Sequence, residues 1–229
     1  MILVTYWFKQ AVLLQKFMIK MDIIEQLKWR YATKKFDPKR KLSEEKLNTL
    51  KRAFNLTATS FGLQTIKMVV VEDKNLRSKL VEHAFFQNQV ADASHLLLLC
   101  VQDNIENSDV DSHFDNVKQI RNTPDTILKP FKADLTKMME EKSVNERQDW
   151  SIRQAYIALG NLMTVCAVEQ IDSCPMEGFV PEKFDEILKL KSMGLKSVLL
   201  LPVGYRAKDD MFAELKKVRK NLEDSVVEI

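Results

Sequence analysis

The chain has 229 residues, 45% of them hydrophobic and 29% charged, which suits one soluble globular domain with a sizeable buried core. Its 35 basic and 32 acidic residues leave a formal charge of +3, too near balance to imply nucleic acid or another polyanion as partner. Cys100, Cys166 and Cys174 lie in or beside apolar runs, and an odd set so placed reads as reduced core thiols of a cytoplasmic protein rather than a disulfide framework.

Residues 1–20, MILVTYWFKQAVLLQKFMIK, stand apart. Lys9, Gln10, Gln15 and Lys16 interrupt the apolar run, so it falls short of the roughly 20 apolar residues of a membrane span. No small-residue cleavage site follows to make it a signal peptide. It reads as upstream sequence ahead of a start at Met18 or Met21, with an amphipathic helix on a membrane surface as the alternative. The folded domain is expected over 21–229.

From there, "DIIEQLKWR" puts Ile23, Ile24 and Leu27 on one helical face. Ser43 is placed to cap a helix whose first turn carries Glu44 and Glu45, with Leu42 and Leu47 as a staple and Leu47, Leu50 and Phe54 facing inward. "IKMVVVE" (66–72) and "HLLLLCV" (95–101) are short, apolar and turn-bounded, as buried strands are. Residues 103–149 are charged and loosely patterned, with a helix start at Thr123-Pro124 and a kink at Pro130; they read as a helical excursion from a single domain. Residues 150–170 are apolar around most of the circumference and form a central helix, where Gly160 allows close packing. "CPMEGF" (174–179) is expected as a tight turn that sets Glu177 beside Gly178, and Pro181 starts the next helix. "SVLLLPVG" (197–204) is a further buried strand, and the tail "DSVVEI" has strand composition with no local partner.

Several devices are missing. Gly62, Gly160, Gly178, Gly194 and Gly204 are the only glycines, and they form neither a G-x-G-x-x-G turn nor a P-loop. His83, His95 and His113 show no metal-ligand spacing with the cysteines, and no G-x-S-x-G elbow occurs. What remains is a set of separated cations, Arg30 and Lys34 near the start and Lys217 and Arg219 near the end. An anionic ligand held by side chains uses such groups, because Arg offers a planar fork to phosphate oxygens. A solvated basic face is the plainer reading of either pair taken alone.

"DIIEQLKWRYATKKFD", "TSFGLQ", "DASHLLLLC", "RQAYIALGN", "PMEGF", "LPVGYR" and "KKVRK", in this order, resemble the flavin-dependent nitroreductase family, especially its oxygen-insensitive nitroreductase and dihydropteridine reductase branch. The resemblance covers Met21 to Ile229. It implies an α+β nitroreductase-like fold: a central mixed β-sheet flanked by helices, a helical excursion, and a C-terminal strand exchanged in a homodimer. It also implies FMN held at the dimer interface, reduced by NADH or NADPH and oxidised in the same site by a nitroaromatic, quinone or pterin, with ping-pong kinetics.

By that resemblance, Arg30, with Tyr31 and Ala32 beside it, meets the FMN phosphate, and Lys217 and Arg219 clamp it. Lys34 stands near the flavin N1 and O2 as electrostatic stabiliser of the reduced ring, and Glu177 and Gly178 flank its N5 edge. Thr59, Ser60, Gln64 and Asn88 complete the cofactor site and Phe131 contacts substrate; no acid–base residue, metal, nucleic acid or membrane is called for. Ala32 replaces a common serine, Tyr31 a frequent histidine, Thr65 a proline and Phe86 an asparagine, for which Asn88 is the nearby substitute. These departures keep a second function open, a flavin-binding protein with little turnover that stores or senses.

Overall fold

The computed structural model describes residues 22–229, so the expectations for residues 1–20 lie outside the described residues. Four strands form one sheet: β1 (Ile66–Val71), β2 (His95–Gln102), β3 (Asp172–Ser173) and β4 (Leu195–Gly204), in the order β1-β2-β4-β3. Eight helices surround it among the described residues: α1 (Ile23–Trp29), α2 (Glu44–Asn55), α3 (Lys74–Leu80), α4 (Gln89–Asp92), α5 (Asn107–Arg121), α6 (Asp125–Glu140), α7 (Val144–Val168) and α8 (Pro181–Ile187).

β2 and β4 are central, and their unbroken apolar runs follow from burial on both faces. Alternation sorts the β2 leucines. Leu97 and Leu99 join Leu199 and Leu201 against α2 and α7, whereas Leu96 and Leu98 join Leu200 and Phe184 on the opposite face. Cys100 lies in the second group and Cys166 in the first; all three cysteines are free and buried, and burial pushes the Cys100 and Cys166 thiols up to about 12.

The sheet differs from the mixed one expected. All three ladders are antiparallel, and the one parallel pairing among the described residues is the isolated bridge Ala32–Ser173. The tail expected as a strand holds a single 3-10 turn, Leu222–Asp224, because strand composition fixes nothing without an edge to pair with. Ile23, Ile24 and Leu27 lie on α1 as expected and are exposed in the single chain.

Local signals fared better. The Ser43 hydroxyl accepts from the Lys46 N–H at 3.3 Å, and Leu47 and Leu50 are buried as expected. α7 begins before residue 150, at a Ser143/Glu146 capping box that the S-x-x-E spacing signals. The excursion is the α5–α6 pair, cross-linked by Lys118–Asp125 and Lys132–Asp111, both at 2.7 Å. α6 runs on through Pro130, where a kink was expected; Pro130 is exposed, so the carbonyl it leaves without a donor can meet water. At the end of β4, Gly204 is required by space: a Cβ there would lie 2.9 Å from the Ser94 backbone nitrogen.

Candidate functional site

After α1 the chain turns extended at Arg30 and runs beside β3, tied by the Ala32–Ser173 bridge and by Thr33 N–H donating to Ser173 O at 3.2 Å. The segment after β4 meets it through Asp210. Its Oδ2 accepts from the Tyr31 hydroxyl (2.8 Å) and from the Lys34 and Lys35 N–H groups (3.0 Å each), and its Oδ1 from Phe212 N–H (3.2 Å). Burial alone would push this carboxyl up, but the Tyr31 hydroxyl and the three N–H groups outweigh it and hold Asp210 below the usual carboxylate range. Burial and the same bond push the Tyr31 hydroxyl up.

Arg206 braces the junction. Its guanidinium lies between the Trp29 and Tyr31 rings, 4.4 and 4.5 Å from their centroids, and its Nε donates to Asp172 Oδ1 at 2.6 Å. Its Nη2 is also 2.6 Å from that oxygen but has no hydrogen bond of adequate angle, so Nε and the backbone N–H, 2.8 Å from Oδ2, carry the link.

Above this junction opens a cleft of about 400 Å³. Arg30, Tyr31, Ala32, Lys34, Lys217 and Arg219 all line it, joined by Lys28 and Lys216, and no carboxylate does. The Lys217 ammonium donates to the Arg30 carbonyl. Burial, then the neighbouring Arg219, lowers the Arg30 pKa; burial, then Arg30 and Arg219, lowers that of Lys217. Arg30 Nε is buried with no hydrogen-bond partner among the described residues. Crowded cations with an orphaned guanidinium N–H suit a phosphate, whose oxygens would satisfy the donor and relieve the repulsion. Tyr31 contributes a ring and backbone there, not its hydroxyl, and Ala32 only backbone and a methyl group.

The 174–179 run opens at Cys174, whose thiol burial pushes up while the charges of Lys34 and Arg30 pull it down. It is less of a turn than expected. Met176 and Leu200 exchange N–H···O bonds of 2.9 and 3.0 Å, so the run hugs β4 before bending at Glu177, whose carbonyl accepts from Phe179 N–H at 2.9 Å. Gly178 does not have a positive φ; its glycine is explained by the Gln87 Nε2, which a Cβ would approach to 3.1 Å. That amide donates to Gly178 O at 2.9 Å. Glu177 Oε1 accepts from the Tyr156 hydroxyl at 2.5 Å.

The other predicted residues fall elsewhere in the chain. Asn88, the proposed substitute for the missing asparagine, is exposed at the start of α4 without a side-chain bond to a described residue; Gln87, one position earlier, bonds the Gly178 carbonyl instead. Ser60 N–H donates to Gln154 Oε1 and Gln64 Nε2 to Asn55 O, both at 2.9 Å, so these amides serve backbone groups. Thr59 and Gln64 line surface clefts with Thr57, and the Thr59 hydroxyl is buried without a partner among the described residues. Phe131 is exposed in a separate cleft between α5 and α6. Asp210, Gln87, Tyr156 and Arg206 were not singled out from sequence as site residues, because a lone polar residue carries no local signal of its distant partner.

Among the described residues no helix is long and apolar enough to cross a membrane, and no group of three or more His, Cys, Asp or Glu could hold a metal. The fold and cleft define an α+β protein of nitroreductase type. A model described as the nitroreductase family matches residues 27–205. A protein named as an NAD(P)H nitroreductase from Staphylococcus epidermidis is 34% identical over 214 residues, covering 89% of this chain and 95% of that one. A similarly named protein from Staphylococcus aureus strain N315 is also 34% identical, with 89% and 94% covered. Among solved structures, a Bacillus subtilis protein described as a nitroreductase has a TM-score of 0.80 at 21% identity, covering 90% and 98%. One from Exiguobacterium sibiricum, solved in complex with FMN, has a TM-score of 0.77 at 19% identity, covering 91% and 98%. The chain belongs to the nitroreductase family, and is a flavin-dependent oxidoreductase by that membership.

Proposed function

We propose that the protein holds FMN with its phosphate in the cationic cleft and passes electrons from NADH or NADPH to a nitroaromatic, quinone or pterin. The observation that carries this is the buried Nε of Arg30, without a partner among the described residues, in a cleft lined by cations and by no carboxylate. When bound, FMN supplies the redox chemistry, taking hydride from a nicotinamide and giving electrons to the acceptor. Arg30, Lys217 and Arg219 hold the phosphate. Lys34, its backbone fixed by Asp210, supplies positive charge that favours the reduced, anionic ring. The N–H groups of Glu177 and Gly178 donate to no described residue, which leaves both free for the ring edge. Donor and acceptor taking turns in one site predicts parallel double-reciprocal lines when NAD(P)H is varied at several quinone concentrations. Intersecting lines would count against a shared site.

A second copy completes the site in this reading, with Thr59, Ser60, Gln64 and Phe131 coming from one subunit and the cationic cleft from the other. Val226, Val227 and Ile229 are exposed in the single chain, and β1 pairs on only one side, with β2. A tail that adds to the neighbour's sheet edge gains ladder bonds and buries these side chains, at about 1.5–3 kcal/mol for each one fully buried. Truncation after Asn221 is therefore expected to lower both dimer stability and FMN retention. A truncated protein that sediments as a dimer with unchanged FMN affinity would show the tail to be a frayed end.

A further inference from the structure

The second cleft, between α5 and α6, has a volume of about 560 Å³ and shares no lining residue with the cationic one. Phe61, Phe114, Val117, Ile127, Leu128 and Phe131 give it apolar walls. The Lys118–Asp125 and Lys132–Asp111 pairs fix the two helices antiparallel, which puts Arg121 and Thr123 at the end where the helices join. Asp134 lies seven residues beyond Ile127 on α6, about 10 Å further along the helix at its ordinary rise. Arg121 and Asp134 line the cleft without a side-chain hydrogen bond or ion pair to any described residue.

We infer that this cleft binds a small apolar monocarboxylate, with its carboxylate on Arg121 and its ring or chain between Phe61, Phe114 and Phe131. A guanidinium matches a carboxylate in a bidentate fork, and the volume is that of a small-molecule site. Asp134 at the far end repels a second anionic group, so a monoanion is preferred to a dicarboxylate. His113 lines the same wall, and burial, then Arg121, lowers its pKa, so it offers no second cation at neutral pH. The inference rests on the proposed function only in making this occupant the electron acceptor; binding itself needs the cleft alone.

Isothermal titration of the full chain with 4-phenylbutyrate and its neutral counterpart 4-phenylbutanol tests the site. The acid is expected to bind about tenfold more tightly, the value of one well-placed ionic contact. Arg121→Gln should bring the acid to the level of the alcohol and leave the alcohol unchanged; Arg121 is exposed, so the fold should tolerate the change. Equal binding of the two probes, no binding, or selectivity that survives Arg121→Gln overturns the site. Acid-selective binding without a matching kcat/KM preference for 4-(4-nitrophenyl)butyrate over 4-(4-nitrophenyl)butan-1-ol overturns the acceptor assignment. A protein that binds the acid selectively but never holds FMN overturns the proposed function instead and leaves this site standing.

Discussion

Replacing Arg30 by Gln is expected to weaken FMN binding about a hundredfold while leaving the protein at least as stable as before. A hydrogen bond to a charged group contributes about 1.5–3 kcal/mol, and each 1.4 kcal/mol is a factor of ten in affinity. Glutamine keeps an amide donor but loses the charge and the fork. Without cofactor, Arg30 sits against Lys217 and Arg219, and its buried Nε has no partner among the described residues, so removing it relieves repulsion and an orphaned donor. Affinity and stability should therefore move in opposite directions, which a purely structural arginine would not produce. FMN fluorescence titration and thermal melting measure the two. Unchanged affinity, or a parallel fall in both, would remove Arg30 from the cofactor site. Lys217→Gln and Arg219→Gln should act in the same sense but more weakly, because both side chains are exposed.

Arg77→Met is expected to give the largest loss of stability, about 3–5 kcal/mol. The residue is fully buried, yet its guanidinium touches no carboxylate. It donates instead to the carbonyls of Glu72 (3.3 Å), Val90 (3.0 Å), Ala91 (2.9 Å), Ala93 (2.8 Å) and Ser94 (3.3 Å). These bonds pin the end of α4 and the entry to β2 against α3. Methionine would fill much of the volume and deprive the Val90, Ala91 and Ala93 carbonyls of this donor, each costing about 1–3 kcal/mol in the worst case, whereas Ser94 O keeps the Lys41 ammonium at 3.4 Å. Lysine would keep the charge, but its single ammonium has three donors on one atom and cannot span the set. Urea denaturation of both variants checks this. A loss below about 1 kcal/mol for Arg77→Met would mean that water reaches those carbonyls readily.

The same residue shows where sequence reasoning stops. β2 and β4 were legible because a strand buried on both faces must be apolar throughout, and α2 because Ser43 announces its start; α7 was legible in its apolar body over 150–170, while its start at Ser143 was passed over. The cationic cleft was legible in its members, Arg30, Lys34, Lys217 and Arg219, through the family resemblance. What organises it was not. Tyr31 and Asp210 are 179 residues apart in the chain, and nothing local to either tells that they meet. Nor does any local signal tell that Gln87 reaches the carbonyl of Gly178, 91 residues on. What covers the tail and α1 was not legible either. Apolar residues signal burial, but not whether the covering surface lies in the same chain.

The most direct test is an anaerobic titration of the full chain, reconstituted with FMN, by NADH and separately by NADPH. Loss of the yellow absorbance with a roughly equimolar amount of at least one nucleotide is predicted, followed by its return when a quinone is added without oxygen. A protein that holds no FMN, or whose bound FMN stays yellow with both nucleotides, would contradict the account.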